Sequence, residues 1–293
     1  MKEISVQQYT FRPWSNQDGL FPVLSEISKM GYNGLEMCCF GGFESLGMSA
    51  REMKLRLDDL GISVIGNHFT REMFQGNHEE AFAYIAEAGG KYAIYNIWGK
   101  YETETDVADK AAYLNTLAPL AEQAGITLLY HNHAAEFATM NGKLVIERLE
   151  DALDPRIFFE HDVFFSRQQN CDVYAYLKAH TDRVRTVHLK QIDAQGENVD
   201  LADGILDMAE VIRCAPKATN YILEQASFKE GIPQSLRRNA EFMKALKAKE
   251  RGGSLSLFYN ELMQTVDFWN GVQYNFYIKT RKERDRLWMI VFL

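Results

Sequence analysis

The chain has 293 residues, 46% apolar and 25% charged, with 20 Gly and 6 Pro; this balance supports a sizeable core and excludes disordered or collagen-like chains. A net charge of -8 excludes diffuse binding to nucleic acid or an anionic membrane, which need a positive surface. Four cysteines, two of them adjacent and none in a CxxC pair, exclude a disulfide scaffold and a zinc ribbon.

Apolar runs at 4–9, 34–38, 62–67, 92–97, 126–131, 157–162, 184–189 and 221–225 are the expected strands. They recur about every thirty residues, the length of one strand, one helix and two loops. The stretch 20–30 reads as a helix closed by Gly31, whose positive φ other residues resist. Ser49 opens the next at 49–60, with Glu52 three residues on in a capping-box pattern. Helices at 79–88 and 105–123 end at Gly89-Gly90 and Gly125. Shorter ones are expected at 173–179 and 207–215, before a last helix at 235–250. The strands are mostly apolar, which suits cover by helices outside and a packed barrel inside. Eight such units predict a closed (β/α)8 TIM barrel over residues 1–250. The rival, an open doubly wound sheet, lacks support: no GxGxxG follows the first strand and no GxxxxGK[ST] occurs.

Residues 251–293 depart from this theme, with nine aromatics in 43 residues and a run of alternating basic and acidic residues around 279–286. A ninth unit has no place in a closed barrel. The segment is expected to be an atypical aromatic-rich extension: a helical cap, a partner surface (a homo-oligomer among the options) or a tail translated from outside the normal reading frame. The first residues include an acid and no apolar h-region, so they do not read as a signal peptide. No uncharged apolar run reaches the roughly 18 residues of a membrane span. The expected setting is cytoplasmic.

In a barrel of this kind chemistry collects where strands end. The fifth run continues Tyr130-His131-Asn132-His133-Ala134-Ala135-Glu136-Phe137, the sixth ends Glu160-His161-Asp162, the seventh His188-Leu189-Lys190 and the eighth Leu223-Glu224-Gln225. Side chains alternate faces with period two. His131 and His133 therefore share a face, as do Glu160 with Asp162 and His188 with Lys190, while His161 faces the other way. Unpaired charges buried there would cost several kcal/mol each, so they pair or hold an ion. Glu136, Asp162, His188 and Glu224 make a ligand set suited to Mn²⁺, Mg²⁺, Co²⁺ or Zn²⁺. His131 is the alternative to Glu136, which lies several residues past its strand. Taken singly, His188 reads as a structural histidine, Asp162 as a helix cap and Glu224 as half of an ion pair; their joint position is the signal. Glu36, His68 and Trp98 end earlier strands and are expected to line the pocket with His131.

Together with Val6-Gln7-Gln8-Tyr9-Thr10-Phe11-Arg12 and Gly31-Tyr32-Asn33-Gly34-Leu35-Glu36, these strand ends resemble the sugar phosphate isomerase/epimerase superfamily, the xylose isomerase-like TIM barrels, over about residues 1–250. The resemblance implies a divalent metal held by Glu, Asp, His and Glu from the later strands. Several relatives carry a metal-binding Glu nearer the place of His131, and many carry Asp where this chain has Gln191. The family includes ketose epimerases, hydroxypyruvate isomerase, inosose isomerase, inosose dehydratase and DNA endonucleases. The acidic balance disfavours the last.

The expected activity is metal-dependent isomerisation or epimerisation of a small polyhydroxy carbonyl compound such as a sugar, keto-sugar or inosose, through an enediolate. Glu136 and Glu224, or His133, would move the α-proton, and Lys190 would steady the developing oxyanion. A lyase or dehydratase acting on a keto-sugar, 3-keto-glycoside or keto-inositol begins with the same proton abstraction. A non-enzymatic binding or assembly module is the third reading.

Overall fold

The computed structural model describes residues 3–265, 279–283 and 286–290, with side chains for residues 3–248 other than Ser45. Eight parallel strands close on themselves: Ser5–Gln7, Gly34–Met37, Ser63–Thr70, Tyr92–Asn96, Thr127–His131, Phe158–Asp162, Val184–Leu189 and Asn220–Leu223. Each pairs with its neighbours in chain order, and the eighth pairs with the first through Ser5 opposite Ile222. Flanking helices complete the predicted (β/α)8 TIM barrel.

The helices follow local signals. In α2 (Leu20–Met30) the buried Val23, Leu24, Ile27 and Met30 recur at helical spacing, and Gly31 ends it at φ +105°. Ser49 caps α3 (Ala50–Asp59) by accepting from the Glu52 N–H. Glu52 pairs forward with Arg56 at 3.0 Å and leaves the second half of the expected capping box unmade. A full capping box does open α5 (Glu104–Gln123), where Thr103 and Asp106 exchange bonds. Three helices have weak sequence signals: α1 (Arg12–Asp18), α6 (Val145–Ala152) and α7 (Val163–Gln168). Each is two turns or so, and α6 starts at a leucine, its first backbone N–H satisfied by Glu147 instead. The remaining helices are α4 (His78–Glu87), α8 (Val173–Ala179), α9 (Met208–Cys214) and α10 (Ile232–Thr265).

One large apolar core fills the space between strands and helices. A second, smaller one lies inside the barrel: Ile65, Tyr92, Ile94, Leu129 and Ile222, with Phe158 packed on it. Room for this plug is made by Gly66, where a Cβ would stand 2.3 Å from the Tyr92 carbonyl oxygen and 2.8 Å from Ile94 Cδ1.

The chain divides into two compact units, Met1–Ala248 and Lys249–Leu293. In the second, Lys279–Glu283 pairs antiparallel with Arg286–Ile290. The packing expected of the aromatic side chains in 251–293 lies outside the described residues. Among the described residues no helix is long and apolar enough to cross a membrane.

Candidate active site

The strands that carry the plug also carry the polar groups, a step or two further along. Period-two alternation puts Leu129 and His131 on one face of the fifth strand, Phe158, Glu160 and Asp162 on one face of the sixth, and Ile222 and Glu224 on one face at the eighth. Beyond the plug the interior turns from hydrocarbon to ionisable groups, all nearly or fully buried.

The deeper layer is a dense network in which Glu36 Oε2 is left without a hydrogen-bond partner. His68 Nε2 lies 2.8 Å from both Glu36 Oε1 and Glu160 Oε2. His188 Nε2 reaches the same two oxygens at 2.8 and 3.0 Å, and His131 Nδ1 is 3.1 Å from Glu160 Oε2. Thr186 Oγ1 donates to Glu160 Oε1 at 2.7 Å, and Gln7 Nε2 donates to Glu36 Oε1 at 3.1 Å. Burial opposes a charge on His68, but Glu36 and Glu160 outweigh it and lift its pKa to about 9. His188 is raised in the same way against its burial. Burial works against the Glu160 carboxylate, yet His188 and His68 hold it well below the usual range. His131, dominated by burial, is held neutral, its pKa far below an ordinary imidazole's.

The outer layer is less complete. Lys190 Nζ donates to Glu224 Oε1 at 2.7 Å and stands 3.7 Å from Asp162 Oδ2. Asp162 Oδ1 accepts from the Phe164 and Phe165 N–H groups and caps α7. Asp162 Oδ2 is buried without a hydrogen-bond partner, and so is His188 Nδ1, which lies 2.9 Å from Glu224 Oε2 but is not aligned to bond it. Burial lifts the Asp162 pKa to about 6, with Lys190 opposing and Glu224 reinforcing. Glu224 is held low against its burial by Lys190 and His188, and Lys190 is held charged against its own burial by Glu224 and Asp162.

Ligand atoms of His131, Asp162, His188 and Glu224 all lie within 4.8 Å of one another, as do those of His68, His131, Glu160 and His188. A divalent cation fits the outer set. Its orphaned atoms, Asp162 Oδ2 and His188 Nδ1, lack the partners that a cation would supply. Both imidazoles also turn one nitrogen to a deeper carboxylate, which orients the other toward a ligand position. Of the inner carboxylates, Glu160 is engaged at both oxygens, by imidazoles and by Thr186, whereas Glu36 meets imidazoles through Oε1 alone and its Oε2 is also without a partner.

Of the expected site residues, Asp162, His188, Glu224, Lys190, His131, His68 and Glu36 come together in this mouth. Glu136 does not join the converging set. It is buried beside it, with Oε1 accepting from Tyr130 Oη at 2.5 Å and Tyr101 Oη at 3.4 Å, and Oε2 accepting from the His133 N–H at 3.1 Å. These three donors turn the carboxylate inward onto its own loop, and His131 stands in the converging set instead. His133 sits half-buried at the rim, its ring 4.9 Å from that of Phe165 and 5.0 Å from that of His131. Burial lowers its pKa to about 4. Trp98 is 51% exposed on the loop after the fourth strand. His161 faces outward, 3.1 Å from Ser166 Oγ and stacked on Tyr176. Sequence reasoning did not single out Glu160, Gln7 or Thr186 as site residues. The alternation that pairs Glu160 with Asp162 was the available signal; Gln7 and Thr186 carry none by themselves.

A curated inosose dehydratase from Halalkalibacterium halodurans is 24% identical over 205 residues, covering 61% of this chain; the chain spans 66% of that protein's length, just under two thirds. A solved sugar phosphate isomerase/epimerase from Parabacteroides distasonis superposes with a TM-score of 0.69 at 20% identity, over 83% of this chain and 93% of that one. An L-ribulose 3-epimerase structure superposes with a TM-score of 0.65 at 16% identity, over 87% and 98%. The model of the xylose isomerase-like TIM barrel family matches residues 24–246. With the closed barrel and its ionisable mouth, that match places this chain in the xylose isomerase-like TIM barrel family.

Proposed function

We propose that this chain is a divalent-metal-dependent isomerase or epimerase of a small polyhydroxy carbonyl compound, a sugar, keto-sugar or inosose. The observation that carries the reading is the convergence of His131, Asp162, His188 and Glu224 with two orphaned buried donor atoms among them. These four residues would hold the metal, which when bound supplies Lewis acidity toward a carbonyl oxygen. His133 is neutral near pH 7, its pKa lowered by burial to about 4, and stands at the rim with a lone pair free to take the α-proton and return it. Lys190, held charged by Glu224 and Asp162, donates to the oxygen on which negative charge develops. The apolar plug beneath and the rings of Phe164 and Phe165 beside Lys190 keep the mouth poor in water, which strengthens each of these interactions. Glu136 fixes the backbone of His133 and takes no part in the proton transfer.

A second reading, a lyase or dehydratase, draws on the inosose dehydratase relative and on His131 and His133 as two adjacent imidazoles. The α-proton leaves in the same way, and a hydroxyl or glycosyl oxygen at the β-carbon departs protonated. Proton NMR in D₂O with Mn²⁺-loaded protein and a panel of keto-sugars and inososes separates the two. Deuterium incorporation with unchanged formula is the isomerase result, and an unsaturated product is the lyase result. The absence of both deuterium incorporation and an unsaturated product across the whole panel would overturn the proposal.

A further inference from the structure

Beside the mouth, between the loops that follow the second and third strands, opens a groove of about 970 Å³. That volume is near the top of the roughly 300–1,000 Å³ typical of small-molecule pockets and far exceeds one hexose ring. Chain neighbours connect the groove to the mouth. Gln7 bonds Glu36 inside the barrel; the next residue, Gln8, lines the groove and accepts from the N–H of Cys38, two residues beyond Glu36.

The lining has a definite chemistry. Phe40 and Phe74, both half-buried, line it, the Phe74 ring stacked on that of His78 at 4.2 Å, and the Met73 side chain is 44% exposed beside them. Gly42, at φ +113°, lies where a Cβ would come 3.6 Å from the Phe74 ring, so the wall there is bare backbone. The polar lining includes four neutral amides, Gln8, Asn16, Gln75 and Asn77. The charged lining is one cation, Arg12, against two carboxylates, Glu44 and Glu80. A phosphate finds a net negative wall there. A neutral ring whose C–H faces stack on aromatics and whose hydroxyls meet amides is matched on both counts.

Building on the mouth reading above, we propose that the substrate is an uncharged glycoside: its carbonyl-bearing ring sits at the mouth and a second sugar ring occupies this groove. The test is calorimetric titration of Mn²⁺-loaded protein with maltose, cellobiose, D-glucose and D-glucose 6-phosphate. At least one disaccharide is expected to bind about tenfold or more tighter than D-glucose. Phe40→Ala and Gln75→Ala, which leave the mouth intact, are expected to cancel that advantage with D-glucose binding unchanged. Equal binding of D-glucose and both disaccharides, no binding of any, preference for the phosphate, or parallel weakening of all sugars in the variants would each overturn it. Metal content of the same samples keeps the two readings apart: stoichiometric Mn²⁺ with no disaccharide advantage fails the groove alone, and absent Mn²⁺ fails the mouth.

Discussion

In the fifth strand Leu129 lies in an apolar plug, and His131, two residues or about 6.6 Å on, lies in a charged mouth; Ile222 and Glu224 stand in the same relation at the eighth. The two ends of one interior obey opposite rules. The plug is non-directional: each fully buried aliphatic side chain contributes about 1.5–3 kcal/mol, whatever its partners. The mouth is directional. Each charge there would cost free energy alone and is tolerated because a specific partner lies within about 3 Å. The dry floor supplied by the plug is what forces the carboxylates and imidazoles onto one another. Within the barrel interior, apolar burial is therefore concentrated at one end and chemistry at the other.

The largest effect that tests this division is loss of metal. Asp162→Ala and His188→Ala are expected to abolish stoichiometric Mn²⁺ binding, while Glu136→Gln keeps it, as read by elemental analysis after dialysis. Full Mn²⁺ in the first two variants, or its loss in the third, breaks the proposed division of roles in the mouth.

The converse experiment strikes the plug. Leu129 is fully buried, and Leu129→Ala is expected to cost about 2–5 kcal/mol in urea unfolding with Mn²⁺ stoichiometry retained in the folded protein. A cost below about 1 kcal/mol would mean that the interior floor collapses easily and is no rigid support.

A smaller, graded effect comes from the outside of the sixth strand. Burial lowers the His161 pKa to about 3, against about 6.5 in the unfolded chain. The unfolded state therefore binds the proton first as pH falls. His161 costs nothing above about pH 6.5, and stability is lost between there and pH 3 at about 1.4 kcal/mol per unit. Urea midpoints of the wild type and His161→Gln should converge on acidification from pH 7 to 5. A constant gap would mean that His161 is not held neutral.

The smallest expected effect is that of truncation. Both the plug and the mouth draw on residues before 226, so a chain ending at Glu250 is expected to unfold cooperatively and keep its Mn²⁺. Failure to fold, or loss of the metal, would show that residues 251–293 belong with the barrel.

The eight strands were legible because each is a short apolar run at a regular interval, and α2 and α3 because Gly31 and Ser49 are local signals. The residues of α6 and α7 were not, since two turns of helix give too few apolar positions to show a period. Asp162, His188 and Glu224 were legible as strand-end ionisable groups, a property of position in the chain. What each of them touches was not. His68 meets Glu160 across 92 residues and His188 meets Glu36 across 152; those contacts exist only once the sheet closes and its register is set. The same holds for Glu136, whose sequence placement allowed a turn into the mouth and whose three donors, Tyr130, Tyr101 and the His133 N–H, turn it onto its own loop. Alternation along a strand is a two-residue property that sequence determines by itself. Which nitrogen of an imidazole faces which carboxylate depends on all eight strands at once, and only the tertiary structure decides it.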